Sequence, residues 1–254
     1  MGVDIHCVNG LLPTFRFTFL PFLERMPAYY TDKSRFLIAV DCIIFGFRNK
    51  ELHLLLTRRP VEPMKNEWSL MGGFMDEQES LNEAAVKILY RYTKQKNIYM
   101  EQVGAYGDLN RDSGDRVVSV AFFGLVKMEQ FDTSLAKEYD ARWTNINELP
   151  QLIFDHNQMV QDALTLLRYK VSTEPVIFNF FDERFTLPAL QDLYEAIFQM
   201  PLDKRNFRKK LTTMNLLDKL DVKDKETSRR GAYYYAFNPN KYASFLEMGK
   251  RFSL

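Results

Sequence analysis

Hydrophobic residues run together, alternate or recur at helical spacing along this chain in an order that predicts its elements. Arg35 to Phe47 (RFLIAVDCIIFGF) is rich in β-branched and aromatic residues, breaks at Asn49-Lys50 and resumes at Leu52 to Thr57, the pattern of a β-hairpin. Glu67 to Phe74 reads as a short strand running into two glycines. From Glu79 the period changes. Ala84, Ala85, Ile88, Leu89 and Tyr92 follow Leu81 at intervals of 3, 4, 7, 8 and 11 residues, the spacing of one helix face. Strand patterns return at Tyr99–Tyr106 and Val117–Lys127. A second helix is expected over Asn157–Lys170, with Met159, Ala163, Leu166 and Leu167 inward and Asp155 as its cap. This order predicts an α/β (α+β) body, a mixed sheet flanked by helices.

A second, smaller unit follows. Thr173-Glu174-Pro175 reads as a boundary, because the residue before proline avoids the helical region. Val176–Phe181 is expected to be a short apolar strand or linker. Thr186 can cap a helix from Leu187 to Gln199, with Pro188 in its first turn and Leu190, Leu193, Tyr194 and Ile197 on one face. After a break at Met200-Pro201-Leu202, Asp203 can cap another helix reaching Met214. At about 100° per residue, Phe207, Leu211 and Met214 point inward, with Arg205, Arg208, Lys209 and Thr212 opposite and Lys204 flanking. Ser228-Arg229-Arg230-Gly231 and the run Tyr233 to Phe237 suggest a hairpin with a basic tip. Together these make a winged helix-turn-helix pattern, which places its second helix in the DNA major groove. A solvated basic helix in a protein-binding winged domain fits the same pattern.

Composition sharpens this picture. The 254 residues are 46% apolar and 26% charged, which excludes wholesale disorder, collagen-like repeats and a membrane bundle. The net charge of +1 hides an asymmetry: residues 201–254 carry thirteen Lys/Arg against six Asp/Glu, and residues 26–200 nineteen against twenty-five. A mildly acidic body joined to a basic tail suggests that the tail meets a polyanion. Cys7 and Cys42 cannot build a disulfide framework, and His6, His53 and His156 have no metal-ligand spacing. No metal or cofactor is expected, and a reducing, cytoplasmic setting is the default. The apolar stretch 11–23 is interrupted by Pro13, Arg16 and Pro21 and is too short to span a bilayer. The domain reading is therefore an extension over 1–25, with Met26 as the expected start, a body over 26–172 and a winged helix over 173–254.

Arg58-Arg59-Pro60, Trp68-Ser69-Leu70 and Gly72-Gly73-Phe74, with Glu79 six residues after Gly73, resemble the front half of a Nudix box. That family's pattern is Gly-x5-Glu-x7-Arg-Glu-apolar-x-Glu-Glu-x-Gly-apolar, and its glutamates hold magnesium at a diphosphate. The back half departs from it. The six core positions are Lys87, Ile88, Leu89, Tyr90, Arg91 and Tyr92, and no acidic residue occurs from Ala84 to Met100. Asp76, Glu77, Glu79 and Glu83 remain but sit before or at the start of the helix, where acids favour its dipole. Family-type hydrolysis is therefore not expected, although a residual magnesium-dependent hydrolase of ADP-ribose or sugar nucleotides stands as the enzymatic alternative.

A degenerate Nudix body followed by a winged helix resembles the Nudix-related transcriptional regulators. Ala39-Val40-Asp41-Cys42, Trp68 to Phe74, Phe154-Asp155-His156 and Leu202 to Arg208 are similar to that family's Bacteroidetes branch, which includes an arabinose-responsive regulator. The resemblance implies a homodimer, a roughly palindromic double-stranded operator, and a small effector in the degenerate pocket: a pentose such as L-arabinose, or ADP-ribose. Asp41, Arg59, Trp68, Asp112 and Arg116 are the effector candidates. Simple core packing remains open for Trp68, and a polar hairpin turn for residues 111–116. For DNA, Arg205 and Arg208 are candidates for base edges and Lys204 and Lys209 for phosphates, with Asn206 and Thr212 on the same helix and Arg229 and Arg230 in the wing.

Overall fold

The computed structural model describes residues 29–96, 98–130, 137–225 and 231–254. Residues 1–35 and 36–254 separate into two units, and the architecture below belongs to the second. The extension proposed over 1–25 and the wing arginines Arg229 and Arg230 lie outside the described residues.

Strand β1 (Leu37–Arg48) turns through Asn49 and Lys50, both at positive φ, into β2 (Glu51–Arg58). The segment expected as one strand is two, because its halves have different partners: β3 (Trp68–Ser69) pairs with β2 and β4 (Met71–Phe74) with β1. Helix α1 (Leu81–Thr93) starts at a capping box in which Ser80 and Glu83 satisfy each other's backbone amides. Strands β5 (Met100–Tyr106) and β6 (Val117–Lys127) follow, then β7 (Ala141–Asn145), for which the sequence pattern raised no expectation. The sheet runs β3-β2-β1-β6-β5, with β4 on β1 and β7 on β2; the β1–β6 pair is parallel.

The near-continuous apolar run of β1 is explained by burial on both faces. Val40, Cys42 and Ile44 pack with Ala84, Ala85, Ile88 and Leu89 of α1. Ile43 and Phe45 point the other way, toward Met159, Ala163 and Leu167 of α2 (His156–Thr173). Leu166, expected inward, is half-buried, and Val160 and Leu164 are buried beside the others. The Val176–Phe181 segment is not a strand: Pro175–Phe180 forms a short 3-10 helix, since an apolar run without a period carries no preference between the two.

Strand β8 (Phe185–Thr186) leads into α3 (Leu187–Phe198), whose first turn is capped by Thr186 accepting from the Ala189 amide. Helix α4 (Lys204–Met214) is capped by Asp203 accepting from the Asn206 amide. Strands β9 (Leu217–Asp224) and β10 (Ala232–Phe237) form the hairpin, β8 adds to β10, and α5 (Pro239–Glu247) closes the chain. Leu190, Leu193, Tyr194, Ile197, Phe207 and Leu211 belong to the same apolar cluster as the α2 face of the large sheet. No described helix is long and apolar enough to cross a membrane.

Candidate effector pocket and nucleic-acid interface

A cavity of about 260 Å³ opens where β1, β4, the end of α1, the loop 107–116 and the start of α2 meet. Three of the sequence candidates line it: Asp41, Arg59 and Asp112. Two are placed elsewhere. Trp68 is outside the lining, with the Arg58 and Arg142 guanidinium groups 3.8 and 4.3 Å from its ring centroid, so its stacking surface is already in use. Arg116 donates to the Gly107 and Asp108 carbonyls at 2.8 and 3.2 Å and lies over Phe36, holding the 107–116 loop instead of facing the cavity.

The floor of the cavity is a buried polar cluster. The Ser119 hydroxyl donates to Asp41 Oδ2 at 2.6 Å. Arg111 lies 4.0 Å from the same oxygen and makes a bidentate pair with Asp155, at 2.9 and 2.7 Å. Asp155 stands at the helix start as expected but does not cap it, because Arg111 takes both carboxylate oxygens. His156, the first residue of α2, accepts from the Leu70 amide at Nδ1 (3.2 Å). Its neutral proton therefore sits on Nε2, 3.7 Å from Asp41 Oδ2. Gly72 is required here: it pairs with Asp41 across β1 and β4, and a Cβ there would sit 2.2 Å from Asp41 Oδ1. Arg59 reaches over the Phe154 ring at 5.4 Å, and Arg91 and Tyr92 enter from α1.

The second candidate surface is α4. Phe207 and Leu211 are buried, Phe207 edge-on to Tyr194 at 5.3 Å. Lys204, Arg205, Asn206, Arg208, Lys209 and Thr212 are all exposed. The five cations Lys204, Arg205, Arg208, Lys209 and Lys210 have no ion-pair partner among the described residues. Thr212 uses its proton on the Arg208 and Lys209 carbonyls at 2.9 and 3.0 Å, so toward a ligand it can only accept. A helix-turn-helix with an apolar inner face and an outer face of unpaired cations, followed by a two-stranded wing, is the arrangement that docks into a duplex.

Residues 35–163 match the NUDIX domain family, and residues 177–237 match the NrtR DNA-binding winged helix domain. The chain belongs to the NrtR-like family of Nudix-related transcriptional regulators. It is 29% identical over 210 residues to the ADPR responsive transcriptional repressor NtrR of Acinetobacter baylyi, covering 81% of this chain and 84% of that protein. An ADP-ribose pyrophosphatase of Methanocaldococcus jannaschii is 32% identical over 128 residues, half of this chain and 72% of the relative. Among solved structures, Shewanella oneidensis NrtR complexed with a 27mer DNA superposes with a TM-score of 0.72 at 29% identity, over 85% of this chain and 97% of that one.

Three of the four acids that this NrtR-like chain keeps near the Nudix helix, Asp76, Glu79 and Glu83, are engaged by neighbouring groups. Lys87, at the first core position, donates to Asp76 and Glu79 at 2.8 and 2.7 Å, and these bonds raise the lysine pKa and lower that of Asp76. Glu83 is held in the capping box, which lowers its pKa. The donor set does not suit magnesium, which needs several carboxylate or water oxygens in octahedral array, and among the described residues no three His, Cys, Asp or Glu come together to hold a metal. Sequence reasoning missed Arg111, Phe154 and His156 of the pocket. All three stand in stretches that the sequence singles out, 111–116 and 154–156, but the joining of 111 to 155 and of 70 to 156 is a product of the fold.

Proposed function

We propose that this protein is an effector-controlled transcriptional regulator, a cytoplasmic homodimer that binds a roughly palindromic operator through α4 and its wing and uses the Nudix domain as a sensor, not as a hydrolase. The observation that carries this reading is the row of exposed, unpaired cations on α4, fixed in orientation by the Asp203 cap and the buried Phe207. The structural relative with a 27mer DNA supports duplex as the polyanion. The effector best supported is ADP-ribose, to which the Acinetobacter baylyi repressor is described as responsive. Arg59 and Arg91 offer charge for a diphosphate, and Asp41 and Asp112 accept from ribose hydroxyls. A pentose is the second reading, favoured by the buried Asp41–Arg111 pair, which suits hydroxyls with no phosphate present.

Linkage makes such a design work: an effector that binds one arrangement of the protein better shifts its population and with it the DNA affinity. A tenfold change in DNA affinity requires only about 1.4 kcal/mol of differential effector binding. Helix α2 is placed to convey it. It begins in the cavity at His156 and ends at the winged domain, where Arg168 donates to the Ile197 carbonyl and the Gln199 side chain at 2.9 and 2.7 Å, and the Tyr194 hydroxyl donates to the Val171 carbonyl at 2.8 Å.

The test is to select duplexes from sheared genomic DNA with the full-length protein, then titrate ADP-ribose and L-arabinose separately against the retained fragment, following anisotropy. The expected result is a shift in DNA affinity of about tenfold or more with ADP-ribose. A shift with L-arabinose alone would move the effector assignment to a pentose. Retention of no duplex, or magnesium-dependent turnover of ADP-ribose by the same sample, would overturn the reading.

A further inference from the structure

Beside α4 lies a groove of about 550 Å³ whose wall is not confined to the winged domain. Lys204 and Arg208 line it from α4, Arg184 from the approach to β8, and Lys50 from the β1–β2 turn of the Nudix domain. Its acids are Asp192 and Asp224, so four cations face two carboxylates. Lys50 is tethered: its ammonium lies 3.1 Å from Asp192, yet its side chain is 72% exposed while that of Asp192 is 27% exposed. One of three donors is engaged and the charge still faces outward. The exposed Arg184 guanidinium lies 4.6 Å from the Tyr234 ring centroid, and it has no ion-pair or hydrogen-bond partner among the described residues. Packing on a ring restrains a guanidinium and leaves its in-plane N–H edge available to a tetrahedral oxyanion.

We infer that the DNA contact surface extends beyond the winged helix along this groove, with Arg184 and the Nudix-domain Lys50 binding backbone phosphates on the flank of the site read by α4. This rests on the regulator reading above and adds to it a contact from the sensor domain itself. The partner is a duplex and not a small anion, because the groove is open and continuous with the cationic face of α4, and a duplex seated there offers one phosphate per ~3.4 Å of rise on each strand. Phosphate contacts position a protein and carry no base information, so both residues should act alike on every sequence.

The experiment uses the full-length protein and a mixed-sequence duplex long enough to run past α4 on both sides. Binding is measured across a salt series for the wild type, Lys50→Gln and Arg184→Gln, with thermal melts to confirm that each variant is folded. Each substitution is expected to weaken binding to the mixed-sequence duplex and to any selected operator by the same factor. Each should also reduce the magnitude of the slope of log affinity against log salt by about 1. A wild-type slope in either variant, or a loss confined to the selected operator, would overturn the inference. A wild-type protein that binds no duplex at any salt would instead overturn the regulator reading, so the two failures are told apart.

Discussion

His156 shows how much one buried side chain can be asked to do. It lies at the cavity floor with Nδ1 accepting from Leu70 and Nε2 toward Asp41. Burial is the dominant influence on its pKa and pushes it down; Asp41 and Asp155 pull it up, and Arg111 and Arg59 push it down further. A histidine whose folded pKa is depressed binds fewer protons in the native than in the unfolded state. Its contribution is therefore present above the unfolded value of about 6.5 and is lost as the pH falls below it. Denaturant unfolding is expected to show stability declining from neutral pH toward pH ~5. His156→Asn, which keeps an acceptor for the Leu70 amide but cannot be protonated, should flatten that decline. An equally steep decline in the variant would show that other groups carry it.

At the scale of elements, α2 runs from the cavity to the end of α3, where Arg168 donates to the Ile197 carbonyl and the Gln199 side chain. Arg168→Ala touches neither the cavity nor α4. It is expected to leave effector-free DNA affinity within about threefold of wild type while reducing the effector-induced change from about tenfold toward none, a loss of about 1.4 kcal/mol of coupling. Anisotropy titrations with and without effector measure both quantities; unchanged coupling would remove α2 from the route. Elements were legible where a period ran long enough to be counted: β1, β2, α1, β6, α3 and α4 all fall within a few residues of their expected spans. The pattern failed at β7, five residues long, and at Pro175–Phe180, where apolar residues are continuous. Helix α5 has a legible start in the sequence, with Asn238 accepting from the Asn240 and Lys241 amides, Pro239 in the first turn and Phe245 inward.

For the molecule as a whole, the charge asymmetry resolves into a place: the positive excess of residues 201–254 includes the outer face of α4 and one wall of the groove beside it. That Ile88, Arg91 and Tyr92 stand where the Nudix pattern has glutamates was readable directly; that Lys87 also occupies Asp76 and Glu79 was not, since it depends on the helix start folding back on the preceding turn. The pocket was half legible. Asp41, Arg59 and Asp112 line it, whereas Trp68 and Arg116 are engaged by neighbouring arginines and by loop carbonyls. The most direct measurement compares Arg205→Ala and Lys209→Ala on a selected operator and on single-base-pair variants of it. Arg205→Ala should cost about 1–3 kcal/mol and relax preference at particular base pairs, while Lys209→Ala should weaken all duplexes alike. Equal, sequence-independent losses from both, or none from either, would contradict base reading by this helix.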